Sequence, residues 1–258
     1  MSFDWNGLLY KRIGSLQEAV GDMLIQKLKF KPVEHVIDVG CGIGNLSEKI
    51  ARQCRKGHVI AIDASETMIA EAIKRSKRSK NLTFQILSVE DMQFEKEFDV
   101  VYSNSVFHWV HDSSRVFTAF HRALKPTGRI GLQFPLLNDC HPLVIQMNEL
   151  IDRLNYWPFF AEWKFPWFVT NARDLATEME LAGFKDVIVE QIKTKHVYDN
   201  ISKVYDFYDA VGLECYLEPL REQHKETLKK NLIKELSSKC RQRTIELEIE
   251  RIYAFGKA

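Results

Sequence analysis

The stretch His35-Val36-Ile37-Asp38-Val39-Gly40-Cys41-Gly42-Ile43-Gly44-Asn45 decides the fold class. Its first half, His35 to Val39, is a short apolar run of the kind a buried strand makes, and it leads straight into glycines at alternate positions. Glycine lets the backbone turn sharply and approach a ligand where a Cβ would collide, so the loop predicts a binding turn between a strand and a helix over Asn45 to Cys54. A dinucleotide fingerprint would need its third glycine three residues after the second, where this chain has Asn45 or Ser47. A nicotinamide cofactor is therefore disfavoured. A phosphate-binding P-loop is excluded, because no Gly-Lys-Ser/Thr follows.

Working outward, a second apolar run, Val59 to Ile62, ends on Asp63, and a helix over Glu66 to Ser76 follows. Strands are expected at Thr83 to Leu87 and Asp99 to Ser103, then a helix at Ser114 to Leu124, a turn at Pro126-Thr127-Gly128 and a strand at Arg129 to Phe134. Upstream, Leu16, Val20, Met23, Leu24 and Leu28 have helical spacing, which Pro32 breaks. Such alternation is the signature of βαβ units and predicts an α/β fold with a doubly wound, mostly parallel sheet.

The remainder departs from simple alternation. Leu136 to Thr170 reads as an irregular stretch rich in aromatics, with Tyr156, Trp157, Phe159, Phe160, Trp163, Phe165, Trp167 and Phe168. It is too long for a plain connection. A helix at Asn171 to Ala182, a strand at Val187 to Lys193, helical patterns over Ser202 to Ser237 and a terminal strand at Thr244 to Phe255 complete the chain. The economical architecture is a single domain over residues 1–258, with a seven-stranded sheet and insertions at about 136–170 and 199–240 that form a helical substrate cap.

Composition narrows the function classes. The 258 residues are 45% apolar and 28% charged with a formal net charge of +1, so nothing in the overall charge points to nucleic acid or an acidic membrane. The basic run from Lys74 to Lys80 falls where a helix should end, as the macrodipole favours. The five cysteines include no C-x-x-C pair, which argues against a disulfide framework and a zinc site and fits a reducing cytoplasm. No apolar stretch approaches the roughly 18 residues of a spanning helix. Oligomeric state stays open, with a monomer favoured.

Asp63 closes the second strand about 20 residues after the glycine loop, where an acidic side chain in this kind of fold accepts hydrogen bonds from ribose hydroxyls. Its alternative role is to cap the helix that starts near Glu66. Ligands in such folds bind at the carboxyl edge of the sheet, so Ser88-Val89-Glu90-Asp91 and Ser103-Asn104 are the next candidates.

These residues resemble the class I S-adenosylmethionine-dependent methyltransferases, through Val36 to Asn45, Ile62-Asp63-Ala64-Ser65-Glu66-Thr67-Met68-Ile69, Phe98-Asp99-Val100-Val101 and Leu124-Lys125-Pro126-Thr127-Gly128-Arg129. The trans-aconitate methyltransferases are the most similar group, through Asp4-Trp5-Asn6 with Tyr10, Ser103-Asn104 running into Trp109-Val110, and Val211-Gly212-Leu213 with Leu217-Glu218-Pro219-Leu220. The resemblance implies S-adenosyl-L-methionine as cofactor and S-adenosyl-L-homocysteine as product. It also implies that Tyr10, Asp38, Gly40, Gly42, Gly44, Ala64 and Ser103 line the cofactor, Asp63 holds its ribose, and Ser88, Val89 and Glu90 flank adenine. Where the family usually has Asp, this chain has Ser88, a shorter neutral acceptor, and Glu90 is the alternative adenine contact. Met68 is expected either on the adenine ring or in the core.

Methyl transfer from a sulfonium is an in-line displacement, so the enzyme mainly holds the acceptor behind the methyl group and excludes water. A carboxylate, with a reference pKa near 4, needs no base. Arg12, His108, His141 and Arg153 are candidate partners for acceptor carboxylates. His108-Trp109 is favoured at the reaction centre, because it follows the fourth strand and resembles the juvenile-hormone-acid methyltransferases. The aromatic stretch, with Trp163 and Trp167, is expected as a lid, or else as core beneath a long loop. The leading expectation is O-methylation of a small-molecule carboxylic acid. Alternatives are a carrier-bound malonyl group (the malonyl-carrier-protein methyltransferases are also similar), a nitrogen or phenol with a general base, and a non-catalytic binding module.

Overall fold

β1 (His35–Val39) runs buried from its second residue into the glycine loop, and the other strands assemble around it. The structure, a computed structural model, describes residues 7–76, 79–240 and 244–258, with side chains from residue 17 onward. Two compact units emerge. One takes the residues up to Pro135, Thr170–Ile192 and Arg251–Ala258, and the other takes Leu136–Val169 and Lys193–Glu250.

The first unit carries α1 (Gly7–Leu28), β1, α2 (Asn45–Gln53), β2 (His58–Asp63), α3 (Glu66–Arg75), β3 (Leu82–Ile86), β4 (Phe98–Asn104), α4 (Ser113–Ala123) and β5 (Leu124–Pro135). α5 (Pro142–Arg153) belongs to the second unit, and α6 (Ala172–Leu181) returns the chain to the first. β6 (Lys185–Tyr198) follows, then α7 (Ile201–Tyr208), α8 (Glu214–Leu217), α9 (Glu222–Lys239) and β7 (Ile245–Lys257). The sheet order is β3-β2-β1-β4-β5-β7-β6. β1 to β5 pair in parallel, and β7 runs antiparallel to β5. This is the expected doubly wound, seven-stranded α/β sheet. Because β1, β2 and β4 are parallel, Val39, Asp63 and Asn104 all finish at the same carboxyl edge.

α1 covers one face of this sheet, with Leu24, Ile25 and Leu28 packed among Val36, Val59, Val100, Tyr102 and Tyr253. Full burial of such side chains contributes about 1.5–3 kcal/mol each, so this packing holds the glycine loop on a rigid floor. The basic run is partly seen: Lys74 and Arg75 lie in the last turn of α3, as the macrodipole favours, while Lys77 and Arg78 lie outside the described residues.

Some elements differ from the sequence expectation. Pro126-Thr127-Gly128 does not interrupt the chain before a strand. It lies inside β5, where Phe98 pairs with Leu124 but Val100 already pairs with Arg129, so the extra residues form a bulge. Proline supplies no N–H to the ladder, which suits it to a bulge. Part of the stretch expected to be irregular is α5, whose Leu143, Val144, Met147, Leu150 and Ile151 are buried at helical spacing. The segments expected as insertions at about 136–170 and 199–240 fall almost wholly in the second unit, which also takes the end of β6 from Lys193 and the start of β7 to Glu250.

Candidate active site

The glycine loop is tied to β2 by its own backbone: the N–H groups of Gly40 and Cys41 both donate to the Ile62 carbonyl, at 2.8 and 2.9 Å. Gly40, Gly42 and Gly44 all have positive φ, at 74°, 53° and 80°. At Gly40 a Cβ would also lie 1.9 Å from Val106 Cγ2, so a side chain is excluded there by both strain and space. Asp63 organises the loop. Its Oδ2 accepts from Gly42 N–H and its Oδ1 from Ser65 N–H, at 2.8 and 2.9 Å. Each carboxylate oxygen can accept a second hydrogen bond, so the side chain retains acceptor capacity for a diol. Burial raises the Asp63 pKa, against the lowering effect of the two N–H donors. The cap of α3 is Ser65, whose Oγ accepts from Met68 N–H, so Asp63 is not the helix cap.

Behind the loop, Asp38 is buried and its Oδ2 accepts from Ser47 Oγ at 2.6 Å. Burial pushes its carboxyl up to about 7, with Ser47 opposing and the nearby Asp63 charge reinforcing. The Cys41 thiol is likewise raised, by burial and by both carboxylates, which keeps it protonated and poorly nucleophilic.

At the end of β4, Ser103 Oγ donates to the Val39 carbonyl at 2.9 Å, so this hydroxyl latches β4 to the root of the glycine loop. Asn104 Nδ2 donates to the Gln17 carbonyl of α1. Ser105 takes the left-handed conformation at φ 60° and turns the chain into Val106 and a short helical turn, Phe107–Trp109. His108 is buried in that turn, 5.2 Å from the Trp109 ring, centroid to centroid. Gln133 of β5 is buried beside them. Turning its amide so that both ends find complementary partners lets its nitrogen donate to Asn104 Oδ1 at 2.8 Å and Ser105 Oγ at 3.2 Å, and its oxygen accept from Arg251 Nη1 at 3.1 Å. Arg251 pairs across the ladder with Pro135, the last residue of β5, and is only 2% exposed.

Around the third strand, Val89 lies in a short turn over Val89–Asp91, and Ser88 Oγ hydrogen-bonds the Glu90 carboxylate. The two candidate adenine contacts thus act on each other. Ala64 is exposed between Asp63 and Ser65, and Met68 is buried in α3.

Four of the acceptor candidates lie in the second unit, each with a partner there. His141 caps α5, its Nδ1 accepting from Leu143 N–H at 3.2 Å. Arg153 pairs with Glu235 of α9, which also bonds Gln146, so its guanidinium joins two helices of the second unit. Trp163 Nε1 donates to the Cys215 carbonyl at 3.1 Å, and Trp167 is buried against the Tyr216 ring at 5.9 Å. The side chains of Tyr10 and Arg12, and all of Asp4, Trp5 and Asn6, lie outside the described residues.

Arg251 and Gln133 were not among the sequence candidates. Arg251 nevertheless carries a signal, since it stands in period-two phase with the buried Ile245, Leu247 and Ile249 of β7. A charged residue on the inward series of a strand is the kind of exception that marks a polar site.

Residues 36–128 match the family model described as a methyltransferase domain. The trans-aconitate 2-methyltransferase of Acidovorax ebreus (strain TPSY) is 24% identical over 84% of this chain and 83% of its own length. The malonyl-[acyl-carrier protein] O-methyltransferase of Bacillus cereus is 29% identical over 49% of this chain and 48% of its own. Among solved structures, phosphoethanolamine N-methyltransferase 2 of Haemonchus contortus, in complex with phosphomonomethylethanolamine and S-adenosylhomocysteine, superposes with a TM-score of 0.59. It is 17% identical, and the match covers 93% of this chain and 53% of that one.

Proposed function

We propose that this chain, a class I S-adenosylmethionine-dependent methyltransferase, methylates a carboxylate oxygen of a small-molecule acid. The cofactor, when bound, supplies a methyl group on a positively charged sulfur. The residues fit it. The glycine loop presents backbone without side chains, and Asp63, fixed by two N–H donors, retains acceptor capacity for a ribose diol. Ser103 holds β1 and β4 together under the loop.

The observation that carries the carboxylate reading is that curated relatives matched over 84% and 86% of this chain are named for a carboxylic acid, trans-aconitate. A carboxylate is already ionised at neutral pH, so the chain needs to orient it and exclude water rather than deprotonate it. The curated relatives, named for trans-aconitate and a carrier-bound malonyl group, support the same class.

The test begins with calorimetric titration of S-adenosylmethionine, S-adenosylhomocysteine and NAD into the wild type and Asp63→Ala. The two sulfur ligands are expected to bind, more weakly to the variant, and NAD not to bind. Methyl transfer is then assayed on trans-aconitate, dodecanoate and a malonyl-loaded carrier protein, with a primary amine and a phenol as controls. Transfer to an acid with a rate flat between pH 6 and 8 supports the reading; transfer to the amine or phenol alone, falling at low pH, replaces it. A requirement for the carrier protein would identify the malonyl version.

A further inference from the structure

The two edges of the sheet are built differently. β6 closes one edge and carries Lys185, Asp186, Glu190, Lys193 and Lys195, the kind of charges that keep an edge from pairing further. β3 closes the other with Leu82-Thr83-Phe84-Gln85-Ile86, which has neither a charge nor a proline. No strand lies beyond it among the described residues, so one row of its backbone N–H and C=O groups has no ladder partner. Thr83 is exposed, and so is Ile86, at 56%.

The start of this strand lies in a strongly positive corner. Residues 50–62 and 72–89 hold eight lysines and arginines and no aspartate or glutamate, in a chain whose 36 cations and 35 carboxylates otherwise nearly cancel. Asn81 brings the two segments together, because its Nδ2 donates to the Ala51 and Cys54 carbonyls at 3.0 and 2.9 Å. Lys80 therefore stands beside the end of α2, where Arg55 and Lys56 follow. Arg52, Arg55, Lys56, Lys74, Arg75 and Lys80 are all exposed. Arg52 pairs with Glu48, and the other five form no ion pair among the described residues. The macrodipole accounts for Arg52, Lys74 and Arg75, in the last turns of α2 and α3, but Arg55, Lys56 and Lys80 lie past the helix ends. Ile73, 54% exposed, stands next to Lys74. The corner is also remote from the glycine loop: Asp63 is at the far end of the six-residue β2, roughly 17 Å away at about 3.3 Å per residue.

We propose that the β3 edge is a docking site for an acidic segment of a partner protein, which adds to the sheet as a further strand. Its carboxylates meet Arg55, Lys56 and Lys80, and its aliphatic side chains meet Ile86. In such an addition backbone pairing supplies affinity and side chains supply choice. A nucleic acid or a lipid surface would use the charge but not the open backbone edge, and these segments contain neither Trp nor Tyr on which a base could stack. A second copy of this chain would bring another positive corner instead of carboxylates. The proposal does not depend on which acceptor is methylated.

Fluorescence anisotropy of a labelled ten-residue peptide alternating Glu and Val, titrated with the full chain, tests it. Saturable binding is expected, weakened at least tenfold as NaCl rises from 50 to 300 mM, since the charges are exposed and screened. The same peptide N-methylated at every residue keeps its charge but cannot pair as a strand, and it should bind at least tenfold more weakly. A variant combining Arg55→Glu, Lys56→Glu and Lys80→Glu should lose binding by at least the same factor while keeping its melting temperature, because these side chains are exposed. No saturable binding of the Glu-Val peptide, or equal affinity for the methylated peptide, would overturn the proposal. So would tighter binding to a 20-base-pair DNA duplex or to phosphatidylserine vesicles than to the peptide. A dimer in sedimentation that the peptide fails to dissociate would assign the edge to a second copy and overturn it as well.

Discussion

Asp38→Asn should change how stability depends on pH, by an amount that follows from the burial of this one carboxyl. In the folded chain its pKa is raised to about 7, against 3.8 for the free side chain, with burial the largest cause. At pH 5 the unfolded chain has already lost this proton while the folded chain keeps it, so folding takes up a proton. A raised folded pKa therefore contributes stability at low pH that is lost as pH rises through about 7. The slope is about 1.4 kcal/mol per pH unit until the folded group ionises, so between pH 5 and pH 8 the loss is roughly 2.5 kcal/mol. Asparagine keeps an acceptor for Ser47 Oγ and exchanges no proton. Urea unfolding of both proteins at pH 5, 6, 7 and 8 cancels the background from other groups. The difference in unfolding free energy should move in favour of the variant by roughly 2.5 kcal/mol over that span, mostly below pH 7. Parallel profiles would mean that Asp38 is ionised in the folded chain and that its burial has been offset in some other way.

Two further substitutions probe the backbone of the site and the second unit. Gly40→Ala meets both a positive φ and Val106 Cγ2, so we expect about 2–5 kcal/mol of destabilisation and at least tenfold weaker S-adenosylmethionine binding; an unchanged melting temperature would refute the crowding. His141→Ala should cost about 1 kcal/mol through the lost α5 cap and His141→Asn should restore it. Acceptor KM that rises in both variants would show that the imidazole also binds the acceptor.

How far each part was legible depends on how local its determinants are. The glycine loop is contiguous, Asp63 follows at a fixed spacing, and the strand and helix patterns around them are short-range, so the fold and the cofactor half could be read directly. Pro126-Thr127-Gly128 has the chemistry of a turn, but the β4 ladder on either side of it carries the chain through as a bulge, and nothing in the tripeptide reports its neighbour strand. α5 was hidden by composition: the aromatics from Tyr156 onward dominate the stretch, although Leu143, Val144, Met147, Leu150 and Ile151 keep helical spacing within it.

The partners of the acceptor candidates were not legible in the sequence, for a different reason. A charge in a sequence has no partner until the chain folds. Arg153, a candidate partner for an acceptor carboxylate, meets Glu235 from a distant helix, and His141, another such candidate, caps its own helix. Arg251 alternates with the exposed Glu246 and Glu248 and keeps phase with the buried Ile245, Leu247 and Ile249, so its own burial follows from the strand period. The family model stops at residue 128, just before the chain reaches the second unit, whose segments 136–169 and 193–250 come from far apart in sequence. A cofactor shared by many enzymes can be held by one contiguous motif, whereas acceptor choice is made where separate segments meet. Pairs such as Trp167 with Gly212, or Trp163 with Cys215, join segments far apart in sequence and become visible only in three dimensions.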